Sequence, residues 1–325
     1  MKKILVIGGG GYVGTNLVDQ LLKKNYLVTV YDLFIYGNHL INSKNLNVIN
    51  GDIRNLNNLK KIIKNFDSII HLACISNDPS FDLNPDLGKS INFDPFEELV
   101  RMSKDNGISR FIYASSSSVY GIRSEKNVVE SFSLKPLTDY SKFKVMCEDI
   151  LLKYNDKNFN CTIIRPATVC GYSRRQRLDL VVNILSNLAY NNKKIKIFGG
   201  DQLRPNINIF DMCNSYMHIL KQPVDKINGE IFNVGFENYS VAELALLVKE
   251  AMPFKVDVEK VPTDDNRSYH ISSDKIKKKI GFNNKKTIKD AIDELVYAFK
   301  KNLFLKPLSN EMYFNINRMK SINLK

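Results

Sequence analysis

The sequence lacks the features that mark several common classes of protein. No apolar run reaches the ~18 residues that a membrane-spanning helix needs. Five cysteines are present, an odd number without the close spacing of metal ligands, so we predict free thiols in a reducing compartment and no metal site. There is no internal repeat and no low-complexity segment. The hydrophobic content of 44% is ordinary for a globular protein with a large core.

Acidic residues are fewer than basic ones, 34 against 47, which gives a net charge of +13. Such an excess can indicate a surface that binds nucleic acid or membranes. The basic residues are dispersed, however, and no nucleic-acid-binding motif accompanies them. We therefore expect a solvated basic surface, neither nucleic acid nor a membrane as partner, and a field that suits small anionic substrates.

The first eight residues resemble a short signal peptide, but their apolar stretch is brief and runs into glycines instead of a cleavage site. We interpret them as a first strand and predict a cytoplasmic protein. Downstream, short apolar runs alternate with amphipathic stretches, as in a parallel sheet covered by helices. Strands are predicted at residues 3–7, 27–32, 46–50, 68–73, 110–115, 161–165 and 231–234. Helices are predicted at residues 12–24, 56–65, 86–106, 139–154, 178–191, 211–221, 241–251 and 288–302.

The predicted fold class is α/β, with a doubly wound parallel-sheet Rossmann domain and a smaller, mixed α/β C-terminal substrate lobe. The dinucleotide-binding domain is expected to cover residues 1–170, with a later return near 206–235. The lobe would consist of residues 171–205 and 236–302. Residues 303–325 are predicted to be a poorly anchored tail.

Glycines at positions 8, 11 and 14 follow the first strand and open the first helix. They allow a tight turn in which backbone N–H groups and the helix N-terminus meet a pyrophosphate. Asp32 ends the second strand, where its carboxylate can accept hydrogen bonds from the adenosine ribose. No Arg or Lys occurs between Tyr31 and Ser43, which favours NAD over NADP. Asp52 follows the third strand and either meets the adenine amino group or caps a helix.

Tyr140 and Lys144 are four residues apart on a predicted helix and therefore share one face. An ammonium group beside a phenol lowers the phenol pKa from about 10 toward neutrality, where the phenolate can take a proton from an alcohol. On its own the pair indicates a solvated helix face. Four serines at 115–118 follow the fifth strand, at the sheet edge where ligands bind in such folds.

The order of these motifs resembles the extended short-chain dehydrogenase/reductases, specifically their NAD-dependent nucleotide-sugar epimerase/dehydratase branch. The matching motifs are Gly-x-x-Gly-x-x-Gly, the serine run closing on Val119-Tyr120-Gly121, Tyr-x-x-x-Lys, and Arg165-Pro166-Ala167-Thr168-Val169-Cys170-Gly171. The resemblance implies a homodimer that pairs helices 86–106 and 139–154. It also implies an NAD site formed by Gly8, Gly11, Tyr12, Val13, Gly14, Asp32, Asp52, Ile53, Leu72, Ala73, Tyr140 and Lys144.

The resemblance further assigns roles to individual side chains. Tyr140 is the general base, Lys144 is its partner and a ligand of the nicotinamide ribose, and Ser116 holds the reacting sugar oxygen. A nucleotide-diphosphosugar substrate would be bound by Ser76, Ser117, Arg174, Arg177, Asn183, Arg204 and Arg267. Of these, Arg204 and Arg267 resemble the arginines that grip the substrate diphosphate.

The expected first step is oxidation at the sugar C4. A 4,6-dehydratase carries an acid and a base just after the catalytic hydroxyl, but Ser117 and Ser118 stand there and neither titrates near neutral pH. A 4-epimerase resembling UDP-glucose 4-epimerase is favoured. The alternative is a 4-dehydrogenase or 4-oxidase acting, for example, on a GDP-sugar or GDP-heptose, and a non-catalytic NAD-binding sensor is less favoured. The sequence specifies neither the nucleotide base nor the sugar.

Overall fold

The computed structural model describes residues 1–123, 125, 127–263, 268 and 270–324. The strands are β1 (Lys3–Ile7), β2 (Leu27–Asp32), β3 (Leu46–Asn50), β4 (Ser68–His71), β5 (Arg110–Ala114), β6 (Asn160–Pro166), β7 (Thr168–Cys170), β8 (Lys194–Phe198), β9 (Leu203–Asn208), β10 (Glu230–Val234), β11 (Glu237–Ser240) and β12 (Asp257–Val261). Predicted and observed strands differ by at most two residues at either end wherever a strand was predicted.

The α-helices are α1 (Tyr12–Lys23), α2 (Leu56–Ile62), α3 (Asp78–Phe81), α4 (Pro85–Asn92), α5 (Phe96–Asp105), α6 (Asp139–Tyr154), α7 (Val181–Asn192), α8 (Ile209–Lys221), α9 (Val224–Ile227), α10 (Val241–Ala251), α11 (Asp274–Ile280), α12 (Ile288–Lys300) and α13 (Asn315–Ser321). Two short 3₁₀ helices cover Ser117–Tyr120 and Glu311–Tyr313. Of the helices described, none combines the length and the apolarity that crossing a membrane would require.

Seven parallel strands form the main sheet in the order β10-β6-β5-β4-β1-β2-β3. Two apolar clusters cover the two faces of this sheet, as expected for parallel strands flanked by helices. The chain runs from β1 outward to β3 and then crosses back to β4 on the other side of β1. Ligands bind at such a reversal, at the carboxyl ends of the strands.

The second lobe has a three-stranded sheet in the order β11-β9-β7 and a parallel pair of β8 with β12. Helices α7, α10 and α12 pack together around a third apolar cluster. Strand β10 returns to the edge of the main sheet. The predicted fold class, a doubly wound parallel sheet with a smaller mixed lobe, is confirmed.

The single helix predicted at 86–106 is wrong, because the structure breaks it into α4 and α5. Pro95 stands at the break and is the residue that precedes α5. Proline has no N–H to donate to the preceding turn, so a helix cannot continue through it undisturbed. The five cysteines are all free, and four of them are buried, whereas Cys74 is partly exposed.

The prediction that the C-terminal residues form a poorly anchored tail is wrong. The backbone N–H of Asn315 donates to the Asp179 carboxylate at 2.8 Å, and Leu178 N–H donates to the Tyr313 carbonyl at 2.8 Å. The Arg318 guanidinium donates to the Ile35 carbonyl at 2.6 Å. Helix α13 is thereby held against the loop that follows β2 and against the second lobe.

Candidate active site

A cavity of about 390 Å³ opens at the carboxyl ends of the central strands. Residues that follow β1 to β6 line it, as the strand order predicts. The cavity brings together most of the predicted site residues. These are Gly8, Gly11, Tyr12, Val13, Gly14, Asp32, Asp52, Ile53, Leu72, Ala73, Ser76, Ser116, Ser117, Tyr140, Lys144 and Arg177.

The glycine loop after β1 accepts no side chain at its two ends. Gly8 has φ +85°, and a Cβ atom there would lie 2.4 Å from the Ala73 backbone nitrogen. A Cβ on Gly14 would lie 2.5 Å from the Gly8 carbonyl oxygen. Because these are contacts with backbone, only glycine fits both positions. The loop leads directly into α1, so the backbone cradle and the helix N-terminus face the cavity in the manner that suits a pyrophosphate.

Asp32 is fixed at the end of β2 by two backbone donors. Its carboxylate accepts hydrogen bonds from Phe34 N–H at 2.7 Å and from Gly10 N–H at 2.9 Å. Burial is the main influence on its pKa and raises it, while the backbone donors and the Arg175 charge act in the opposite direction. An ionised carboxylate has about four acceptor sites, so Asp32 can still accept bonds from ribose hydroxyls.

Asp52 lines the same end of the cavity, and its carboxylate pairs with the Arg54 guanidinium at 2.6 Å. The alternative that Asp52 caps the next helix is wrong, because the side chain of Asn55 caps α2.

Helix α6 places the predicted base and its partner. Thr138 caps the helix in a reciprocal capping box with Ser141, so Tyr140 lies in the first turn and Lys144 one turn later. Both side chains are buried. The Lys144 ammonium is 5.7 Å from the Tyr140 ring centroid and 4.9 Å from that of Tyr113. It donates to the Ala114 carbonyl at 2.7 Å, which ties the helix to the end of β5.

The net direction of the Tyr140 pKa is opposite to the one expected from Lys144 alone. The pKa of Tyr140 is raised well above its ordinary value, chiefly by burial and further by its neighbours Cys74 and Asp78. A hydrogen bond with the Ser116 side chain and the charge of Arg177 lower that pKa. Burial is a tertiary property, so residue spacing alone gave the wrong direction.

A buried ion pair supports this arrangement from behind. Arg165 of the Arg-Pro motif donates through Nη2 to the Glu148 carboxylate at 2.6 Å and through Nε at 3.0 Å. The two side chains are only 3% and 2% exposed. Glu148 lies one turn after Lys144 on α6 and also accepts a hydrogen bond from Ser115, the neighbour of Ser116. Arg165 continues to the Tyr120 hydroxyl at 2.8 Å.

Glu148 was missed as a site residue, although its spacing of four from Lys144 is a signal for the same helix face.

Of the predicted substrate ligands that the structure describes, Arg174, Asn183 and Arg204 do not line the cavity. Arg174 pairs with Asp19 at 2.8 Å and donates to the His39 carbonyl at 2.8 Å. Asn183 is fully buried and donates to the Tyr12 hydroxyl at 3.1 Å and to the Arg177 carbonyl, which indicates a supporting role in place of the expected contact. Arg204 lies on β9, away from the cavity wall. Arg267 lies outside the described residues.

The residues that line the cavity without having been predicted include Tyr36, Arg175 and Asn315. Tyr36 follows β2, and its ring centroid is 3.6 Å from the Arg175 guanidinium carbon. Arg175 also donates to the Asn315 side chain at 2.8 Å. Arg175 and Asn315 are 140 residues apart in the sequence, so no local pattern could have connected them.

A model of the NAD dependent epimerase/dehydratase family matches residues 4–235 of the chain. A UDP-glucose 4-epimerase of Lactobacillus helveticus is 26% identical over 266 residues, which cover 75% of this chain and 80% of the relative. A putative UDP-glucose 4-epimerase of Methanocaldococcus jannaschii is 28% identical over 307 residues, which cover 92% of this chain and 99% of the relative.

A solved structure of a UDP-N-acetylglucosamine 4-epimerase from Methanobrevibacter ruminantium M1 superposes with a TM-score of 0.85. It is 24% identical, and the match covers 93% of this chain and 99% of that one. At this identity the likeness shows a shared fold.

Replacing Glu148 by Gln should destabilise the protein by about 3–5 kcal/mol, because it leaves the Arg165 charge buried without a counter-charge. Denaturant unfolding of wild type and variant measures this change.

Glu98→Gln is the matched control, since it breaks an exposed ion pair with Arg101 and should leave the unfolding midpoint close to that of wild type. Glu148→Leu combined with Arg165→Met should recover much of the lost stability. A free energy of unfolding equal to wild type for Glu148→Gln would show that the pair does not support the site.

Proposed function

Because this chain belongs to the NAD dependent epimerase/dehydratase family, we propose that it is a nucleotide-diphosphosugar 4-epimerase that acts by transient oxidation of the sugar at C4. The observation that carries the proposal is the convergence of Ser116, Tyr140 and Lys144 on a cavity that the glycine loop also lines. Family membership also gives NAD as the cofactor.

The residues of the cavity fit that cofactor. The glycine loop and the N-terminus of α1 would hold the pyrophosphate, since Gly8 and Gly14 leave the backbone uncovered. Asp32 would bind the adenosine ribose. When bound, NAD accepts a hydride from an alcohol carbon and can return it.

The chain itself supplies the proton chemistry. Tyr140 takes the proton of the C4 hydroxyl, and Ser116, which hydrogen-bonds to Tyr140, orients that hydroxyl. Arg177 stabilises the phenolate that results. Since Tyr140 and Lys144 are buried, these charges act in a medium of low dielectric, where they are stronger than in water.

The residues next to Ser116 favour epimerisation over dehydration. Ser118 donates its hydroxyl to the Ser116 oxygen at 2.8 Å, and Ser117 is buried. Neither hydroxyl serves as an acid or base near neutral pH. A 4-keto sugar that formed here would meet no group at these positions that could eliminate water, which favours the C4 epimer as the product.

Replacing Tyr140 by Phe should lower kcat by about a hundred- to ten-thousand-fold, because the general base is lost while the ring remains. The assay incubates wild type and variant with UDP-, GDP-, CDP- and dTDP-sugars and measures the C4 epimer by chromatography. Wild type should convert at least one of them without net accumulation of NADH.

Tyr154→Phe is the matched control, because Tyr154 lies on the same helix with its hydroxyl on Glu97, outside the cavity. Turnover by Tyr140→Phe at the wild-type rate would contradict the catalytic proposal. Net NADH accumulation by wild type would favour the 4-dehydrogenase instead.

Because Asp78 influences the pKa of Tyr140, replacing Asp78 should change the pH dependence of the reaction. The carboxylate of Asp78 raises that pKa, so Asp78→Asn should lower it. A base works only when deprotonated, and therefore the acidic limb of the kcat/KM profile should move to lower pH. Asn keeps an acceptor for the Thr138 hydroxyl that bonds to Asp78, so the start of α6 is preserved.

Ser116→Ala should move the same limb to higher pH, because it removes a hydrogen bond that lowers the Tyr140 pKa. Profiles that move in the same direction in both variants would contradict the assignment of the limb to Tyr140.

A further inference from the structure

Two buried arginines line the cavity with one unpaired nitrogen each. Arg175 is 2% exposed and Arg177 is 7% exposed. Arg175 Nε and Arg177 Nη2 are fully buried and have no hydrogen-bond partner among the residues that the structure describes. Buried polar groups are nearly always hydrogen-bonded, and buried charges are nearly always paired. Two such nitrogens in one cavity wall indicate a ligand that supplies acceptors.

The remaining nitrogens of both guanidinium groups donate within the protein, and a series of hydrogen bonds through Asn315 and Ser76 links the two groups. Arg175 donates through Nη2 to Asn315 Oδ1 at 2.8 Å, and Asn315 Nδ2 donates to Ser76 Oγ at 3.3 Å. Arg177 donates through Nη1 to the same Ser76 oxygen at 2.9 Å and through Nε to Asp179 at 2.8 Å. These hydrogen bonds orient both guanidinium groups before any ligand binds.

Asp179 and Asp32 both act electrostatically on Arg175, but only Arg177 forms a direct ion pair with one of these carboxylates. Asp179 pairs with Arg177, whereas Arg175 forms no ion pair within the described ranges and instead stacks on Tyr36. Burial is the main influence on Arg175 and lowers its pKa to about 10, and the neighbouring Arg177 charge acts in the same direction. An anion bound between the two arginines would relieve both the burial cost and the repulsion.

We propose that Arg175 and Arg177 form a subsite for the diphosphate group of a bound nucleotide. The planar guanidinium fork matches pairs of phosphate oxygens, and two forks with free N–H groups in one cavity suit two linked phosphates. The nucleotide class rests on the function proposed above, since both NAD and a nucleotide sugar carry a diphosphate.

The two arginines lie between the place expected for the adenosine of NAD and the place expected for the reacting sugar. Arg175 contacts the Tyr36 ring and acts on Asp32, at the end where the adenosine would lie. Arg177 contacts Ser76 and acts on Tyr140, at the end where the sugar would react. The experiment therefore has one arm for each diphosphate.

The test measures binding by isothermal titration calorimetry with Arg175→Met and Arg177→Met. One arm compares ADP-ribose with adenosine, and the other compares UDP, GDP, CDP and dTDP with their nucleosides. Each variant should lose about ten- to a hundred-fold in affinity for the diphosphate compound of one arm, because a charge-assisted hydrogen bond is lost. Affinity for the matching nucleoside should change by less than about twofold. Weaker binding of ADP-ribose would assign the subsite to the diphosphate of NAD. Weaker binding of a nucleoside diphosphate would assign it to the diphosphate of the nucleotide sugar.

Arg174→Met is the matched control, since it removes the same charge from the same loop but its guanidinium bonds to Asp19 and the His39 carbonyl. If a Met variant fails to fold, Arg175→Lys and Arg177→Lys keep the charge and remove the fork, and should still lose affinity for the diphosphate compound.

If both variants bind every diphosphate compound as tightly as wild type does, the proposed subsite is wrong. The proposed function would be unaffected by that result. A wild-type protein that binds neither ADP-ribose nor any nucleoside diphosphate would contradict the proposed function itself.

Discussion

The buried ion pair between Arg165 and Glu148 is the interaction on which the site depends. Arg165 lies near the end of β6 and Glu148 on α6, so the pair fixes the helix that carries Tyr140 and Lys144 against the sheet. Glu148 also accepts from Ser115, and Arg165 bonds to the Tyr120 hydroxyl, which anchors both ends of the serine segment. A pair buried this deeply is costly to desolvate and strongly destabilising to break. Its position behind the cavity holds α6, which carries Tyr140, next to the serine segment that carries Ser116, as the proposed proton transfer requires.

Local patterns in the sequence predicted the parts of the fold that local physics controls. The parallel strands and the glycine loop follow from apolar runs and from positions that admit no Cβ atom. Helix α6 was predicted with its observed bounds from the apolar stripe along one of its faces, and the structure adds the capping box at Thr138. The helix predicted at 86–106 contained Pro95, and greater weight on that residue would have predicted the break.

The rest of the site could not be predicted, because it depends on contacts between distant segments. Arg175 bonds to Asn315, which lies 140 residues away in the sequence. Helix α13 forms part of the cavity wall, and no sequence motif predicts this. The direction of the Tyr140 pKa was wrong for the same reason: the Tyr140–Lys144 spacing was visible, whereas the burial that opposes it was not. The pKa values of the side chains in the cavity therefore depend on the tertiary fold. The expected homodimer is a separate point and stays a prediction.

Transient oxidation, as proposed here, requires that the hydrogen on C4 leaves as a hydride and returns within one cycle while Tyr140 handles only the hydroxyl proton. The most direct measurement uses a nucleotide sugar that the enzyme turns over, labelled with deuterium at C4, in ordinary water, with mass spectrometry of the product. The account predicts a C4 epimer that keeps its deuterium. Exchange of that deuterium with solvent during epimerisation would contradict it.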